Sequence, residues 1–134
     1  MNAVAETKED HGLEQAKAQF SHISELMHRW SVSNEIDETE AVEQEIREHP
    51  LSVLVRGNWH EPGTADSEPG EYEILLCTGG PAVRIRGDLN EHSEPISAFL
   101  SYQDWGTPWT HYLPKNKNAE KIMLNYASRF WFGA

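Results

Sequence analysis

Seven histidines, 22 carboxylate side chains and one cysteine are the groups in this 134-residue chain that could do chemistry. A metal site would need them at ligand spacing. His22 and His28 are six apart and fall on different faces of a helix, and no H-x-x-x-H or H-E-x-x-H pair occurs. His60, His92 and His111 lie in loop-like stretches, where spacing alone brings nothing together. General acid–base work would need a carboxylate held on a histidine. Asp104 with His60 or His111 is the pairing on offer, and no nucleophile motif accompanies it. Thr78-Gly79-Gly80 lacks the G-x-x-x-x-G-K-[ST] frame of a phosphate loop and leads into a strand, so it reads as a hairpin turn. No catalytic residue, metal ligand or cofactor is assigned, and the chain reads as a binder rather than an enzyme. Cys77, the lone cysteine, leaves no internal disulfide and no cysteine-based zinc site. Its place in a strand makes it a buried structural thiol, and a reducing, cytoplasmic location follows.

Two other groups of residues suit recognition. Glu38, Glu40, Glu43, Glu45 and Glu48 crowd one short segment. In a helix they span about 15 Å at 1.5 Å per residue. Duplex DNA carries one charge per ~1.7 Å of axis, so this segment has about half that density. The plainer reading is a solvated helix face; the sharper one is a phosphate imitation that occupies a basic groove on another protein. The second group is Trp59, Trp105 and Trp109, with Tyr112, all in loops. These are partner anchors, a stacking surface for a small ligand, or lids on the core.

Charge bounds the partners. The net charge is −11. Residues 1–50 hold 12 acids against 4 bases, and residues 51–134 hold 10 against 7. Such acidity disfavours direct contact with nucleic acid or anionic membranes and favours a protein partner with a basic surface. No apolar run approaches membrane-spanning length, and the N-terminus is polar and acidic rather than signal-like.

The elements that must position these residues are legible from period. Leu13, Ala16, Phe20, Ile23, Met27 and Trp30 recur every three or four residues and predict a helix over about 12–30. Its seam packs on the next helix or on a second copy; a homodimer through Leu13, Phe20, Met27 and Trp30 stays open. A second helix is predicted over about 37–48, with Asp37 and Glu40 at capping-box spacing. Leu51–Arg56, Glu71–Leu76, Ala82–Arg86 and Ile96–Ser101 read as four strands of an antiparallel meander. The expected register sets Ile74 on Ile85, Leu76 on Val83 and Glu73 on Arg86, with Arg56 beside Glu73. One face then collects Val53, Val55, Ile74, Leu76, Val83, Ile85, Ala98 and Leu100. The opposite face also carries Leu54, Leu75, Cys77 and Phe99, and Leu54, Leu75 and Phe99 form a second candidate patch for self-association. A last helix is predicted over about 119–129, and Phe130-Trp131-Phe132 is expected to dock on the sheet. The expected fold is α+β: two N-terminal helices, a four-stranded antiparallel meander and a C-terminal helix packed on the sheet. Residues 1–10 read as a disordered N-terminus and 11–134 as a single domain.

The blocks Leu51-Ser-Val-Leu-Val-Arg-Gly57, Glu73-Ile-Leu-Leu-Cys-Thr-Gly-Gly-Pro-Ala-Val-Arg-Ile85, Tyr102-Gln-Asp-Trp-Gly-Thr-Pro-Trp-Thr110 and Phe130-Trp-Phe-Gly133 resemble a family of small bacteriophage and prophage proteins without a settled function. The resemblance spans residues 51–133. It implies an accessory protein acting in the cytoplasm of a bacterial host cell by binding a host protein, as an inhibitor of defence or nucleic-acid-handling machinery. It transfers no functional residue. The alternative is a small-ligand or enzymatic domain using the Trp59/Trp105/Trp109 loops.

Overall fold

The computed structural model describes residues 10–64 and 68–133. The expected disordered stretch lies outside these except for Asp10, which caps a helix. The elements are α1 (His11–Val32), α2 (Ile36–Glu48), β1 (Ser52–Gly57), β2 (Pro69–Cys77), β3 (Pro81–Asp88), β4 (Phe99–Asp104), β5 (Thr110–His111) and α3 (Ala119–Ala127). The architecture is α+β, with five antiparallel strands in sequence order rather than four.

The start of α1 is set by Asp10, whose carboxylate accepts from the Leu13 amide at 3.0 Å. That bond satisfies one of the four orphan N–H groups of the first turn. The apolar seam, with Leu26 added to it, lies on the sheet: Ala16, Ile23, Leu26 and Met27 are buried, and Phe20 and Trp30 pack half-buried against the same core. Of the four residues expected to line a homodimer seam, Met27 is buried and Leu13, Phe20 and Trp30 are half-buried. The seam is occupied by the chain's own β3, β4, α2 and α3. In α2, Val42 and Ile46 are buried while Ala41 is exposed. Glu35 holds the cap position without a side-chain bond, so the Asp37–Glu40 capping box does not form.

The sheet register keeps Ile74 opposite Ile85 and Glu73 opposite Arg86. A bulge sets Cys77, not Leu76, opposite Val83. Arg56 faces Glu71 instead of Glu73, because Leu54 takes the place opposite Glu73. The fourth strand begins at Phe99, not Ile96. Residues 89–97 return as a loop held by a Leu89–Pro95 bridge, and Ile96 is exposed. β5 is two residues long, too short for a periodicity signal.

Tyr72, Ile74, Leu76, Val83, Ile85, Ala98 and Leu100 form the buried face, and the helices cover that face. Val55, expected there, is 47% exposed because β1 is the sheet's edge. α3 lies chiefly against α1. The segment after it carries Phe132 onto Tyr72, ring centroids 4.8 Å apart, while Phe130 meets Tyr126 at 5.2 Å. Trp131 departs from the expected docking: it is 83% exposed.

The face assignment predicts that Ile74→Ala costs about 2–5 kcal/mol in urea unfolding, as a buried truncation does. Leu54→Ala, at an exposed site on the opposite face, should stay within about 0.5 kcal/mol. Equal losses would reverse the two faces. At the C-terminus, Phe132→Ala is expected to cost about 3–5 kcal/mol, and Trp131→Ala should leave the thermal midpoint where it was.

Candidate interaction surfaces

α2 presents its carboxylates to solvent. Glu38, Glu40, Glu45 and Glu48 are exposed, and Glu43 is half-buried. Glu45 is held by a two-pronged contact from the Arg29 guanidinium on α1, and that hydrogen-bonded cation lowers its pKa. Glu48 accepts from the Gln44 amide at 3.3 Å. Glu45 is thus the one of the five that faces a cation within ion-pair distance, among the described residues.

The tryptophans do not cluster. Trp59 follows the C-terminal end of β1 and Trp105 follows that of β4. Antiparallel order and register put these at opposite ends of the sheet. β3, with eight residues, spans over 20 Å between those ends, at roughly 3.3 Å per residue. Neither lids the core: Trp59 is fully exposed and Trp105 is 76% exposed. Trp105 is nonetheless held, at φ +35°, with its indole over Gly80. A Cβ on Gly80 would sit 2.8 Å from the indole nitrogen, and its φ of +134° is a backbone conformation that favours glycine. Trp109 is half-buried, with the Arg84 guanidinium 3.7 Å from its ring centroid. A site built from Trp59, Trp105 and Trp109 together is not assembled.

The face of the sheet away from the helices forms a surface that sequence reasoning reached only in part. Arg56 and Glu71 make two 2.9 Å hydrogen bonds. Glu73 accepts from Arg86 at 2.8 Å and from Arg84 at 3.5 Å. Burial and the neighbouring Arg86 lower the Arg84 pKa against the pull of Glu73. Its Nε has no hydrogen-bond partner. Phe99 meets His111 edge-on at 6.0 Å. Three shallow hollows adjoin here and share Glu71. They are lined by Leu54, Arg56 and Arg86; by Arg84, Phe99 and His111; and by Trp59 and His60. The stack of Arg84 on Trp109 left no sequence signal, because it joins a β3 residue to one in the loop between β4 and β5.

A buried polar cluster also went unpredicted. His49 lies between Gln19 and Tyr126, with each ring nitrogen 2.7 Å from an oxygen. The Gln19 carbonyl only accepts, so Nε2–H donates to it and Nδ1 accepts from the Tyr126 hydroxyl. Burial, and then the nearby His22 ring, push the His49 pKa down to about 4. Cys77 is half-buried, and burial raises its thiol pKa. Asp104, His60 and His111 form no triad: Asp104 accepts from the His11 amide at 3.2 Å, and His60 bonds within its own loop. Among the described residues no three His, Cys, Asp or Glu converge on a metal position. Among the same residues no helix is long and apolar enough to cross a membrane.

No family model, curated protein or solved structure matches the chain. What it can do must be read from these surfaces.

His49 makes stability pH-dependent. Its folded pKa is depressed, so between pH 6.5 and about 4 the unfolded chain takes a proton that the folded chain refuses. Its contribution is fully present above pH 6.5 and declines as pH falls toward 4. Denaturant midpoints measured across this window should drop with pH, and His49→Leu should flatten the curve while lowering stability at neutral pH. An unchanged slope in that variant would assign the acid sensitivity elsewhere.

Proposed function

We propose that the chain is a non-enzymatic protein-binding module, an accessory factor of the phage type that residues 51–133 resemble, acting in the cytoplasm of a bacterial host cell. Its partner is a host protein with a basic surface, of the kind that handles nucleic acid in bacterial defence or processing. The observation that carries this reading is the outer face of α2: five glutamates on one short helix, four of them exposed, with a cation, among the described residues, on Glu45 alone. Exposed carboxylates facing no cation leave a field that a basic groove neutralises on binding. The balance of the molecule agrees. Its hollows are shallow, and its tryptophans are separated.

Binding of this kind is led by charge and is expected to weaken as salt rises. Full-length tagged chain is incubated with bacterial lysate at about 0.01 M and about 1 M salt, where the Debye length contracts from ~30 to ~3 Å. The partner should be retained at the first and largely lost at the second. Replacing Glu38, Glu40 and Glu48 together with Gln should reduce retention tenfold or more, about 1.4 kcal/mol, without lowering the thermal midpoint. Glu45 is left intact because it ties α2 to α1 through Arg29. Retention that ignores both salt and the triple substitution, but fails in Trp59→Ala or Trp105→Ala, would transfer the site to the sheet ends.

A further inference from the structure

β1 is an edge strand, and among the described residues nothing pairs with its outer side. Which groups face outward follows from two hydrogen bonds. The Leu89 amide donates to the Gly70 carbonyl at 2.9 Å, so Gly70 faces β3. The Leu51 amide donates to the Leu75 carbonyl at 2.8 Å, so Leu75 faces β1. Strand residues alternate in direction. Glu71, Glu73 and Leu75 therefore bond β1, and their partners Arg56, Leu54 and Ser52 bond inward. Val53 and Val55 are left with N–H and C=O pointing away from the sheet.

The side chains along this edge are apolar on both sides. Leu54, 56% exposed, stands on the open face, and Val55, 47% exposed, stands on the helix side. Leu51, just before the strand, is 60% exposed. Proteins commonly blunt such an edge with lysine, proline or a central bulge. Ser52–Val55 carries none of these; the one irregularity lies at the far end, between Arg56 and Gly57.

We infer that this edge pairs antiparallel with the same edge of a second copy, joining two five-stranded sheets into one of ten strands. Val53 and Val55 of one copy exchange backbone hydrogen bonds with Val55 and Val53 of the other. Leu54 meets Leu54 across the two-fold axis, at a non-hydrogen-bonded position where side chains lie closest. Val-Leu-Val is symmetric about Leu54, so every apolar residue finds an apolar partner. A two-residue slip in either direction would set Leu54 against Arg56 or Ser52 and lose the leucine–leucine contact. The stretch Leu51–Val55 carries no charge, so it selects neither a basic nor an acidic segment. It selects its own pattern, which makes a second copy the occupant. The joint is small, below the ~1,200 Å² where stable interfaces begin, so the dimer is a weak one that concentration populates. The inference does not depend on the acidic face of α2.

Charge gives this dimer a signature opposite to that of basic-partner binding. Two chains of −11 repel, and salt screens the repulsion. Sedimentation equilibrium of the full chain should show monomer near ~10 μM and growing dimer toward ~1 mM, more in high salt than in low. Leu54→Lys should keep the thermal midpoint and remain monomeric. In a Cys77→Ser background with an unchanged midpoint, Leu54→Cys should cross-link under oxidised glutathione, because a close strand pair has Cα atoms ~4.5 Å apart, within disulfide reach. Val55→Cys, opposite Val53, should not. The Val53 and Val55 amides should exchange more slowly as concentration rises. The Glu38, Glu40 and Glu48 to Gln variant should associate at least as well as wild type, which separates this outcome from failure of the partner-binding reading. Monomer throughout the range in high salt, or a dimer that Leu54→Lys leaves intact, overturns the inference.

Discussion

The close approach of α1 to the sheet is the constraint on which the other features depend. At its N-terminus the helix nearly touches β4: a Cβ on Gly12 would lie 2.8 Å from the Gln103 carbonyl oxygen. The next bond is long-range, with the His11 amide donating to the Asp104 carboxylate, a negative group at a helix N-terminus as the macrodipole favours. From there Ala16, Ile23, Leu26 and Met27 are buried along the helix. One helix therefore decides which face of the sheet is core. Ile74, Ile85 and Leu100 turn toward it, and their neighbours of opposite parity turn to water.

The second layer is held to the first partly by polar groups, and these have consequences beyond packing. Arg29 of α1 clamps Glu45 of α2. His49 links α1 to α3 through Gln19 and Tyr126, in a setting where the charged form of histidine is disfavoured. A half-buried histidine satisfied only as the neutral tautomer joins three segments, and its contribution to stability declines between pH 6.5 and about 4 as the unfolded chain gains the proton that the folded chain refuses. The Tyr72 hydroxyl donates to the Ser97 carbonyl at 2.6 Å, and burial raises its pKa. That bond ties the loop before β4 to the core strand, at the place where the strand starts later than its apolar run suggests.

Features carried by local period were legible in the sequence. The α1 seam, the glycine-flanked turn at residues 78–81 and the pairing of Ile74 with Ile85 each rest on repeats of two or of three to four residues. Features that depend on long-range partners were not. The bulge at Leu76 is invisible because Leu-Leu-Cys reads equally well in either phase. The pairing of Arg56 with Glu71 rather than Glu73 is a two-residue shift that preserves every face, so hydrophobic alternation is blind to it. β5 is too short to have a period. Trp59 and Trp105 look like one cluster in a list of loops, and antiparallel topology separates them. For the candidate surfaces, the exposure of the α2 glutamates was readable as a possibility, whereas the stack of Arg84 on Trp109 needs two strands and a loop at known positions.

Charge is distributed unevenly by this construction. Among the described residues, 10–50 hold 10 acids against 3 bases and supply α1 and α2, so their negative excess sits with the helical layer. The open face of the sheet is close to balanced, with Arg56, Arg84 and Arg86 set against Glu71 and Glu73. A helix whose outer face is carboxylate draws a cationic partner from a distance, with a pull that falls as ionic strength rises. A strand edge of valine and leucine acts only at contact, through hydrogen bonds that must be aligned to within a residue. The two surfaces differ in range, in salt dependence and in place. Loading one does not require vacating the other, and the sheet edge can join two copies while each still presents an acidic helix.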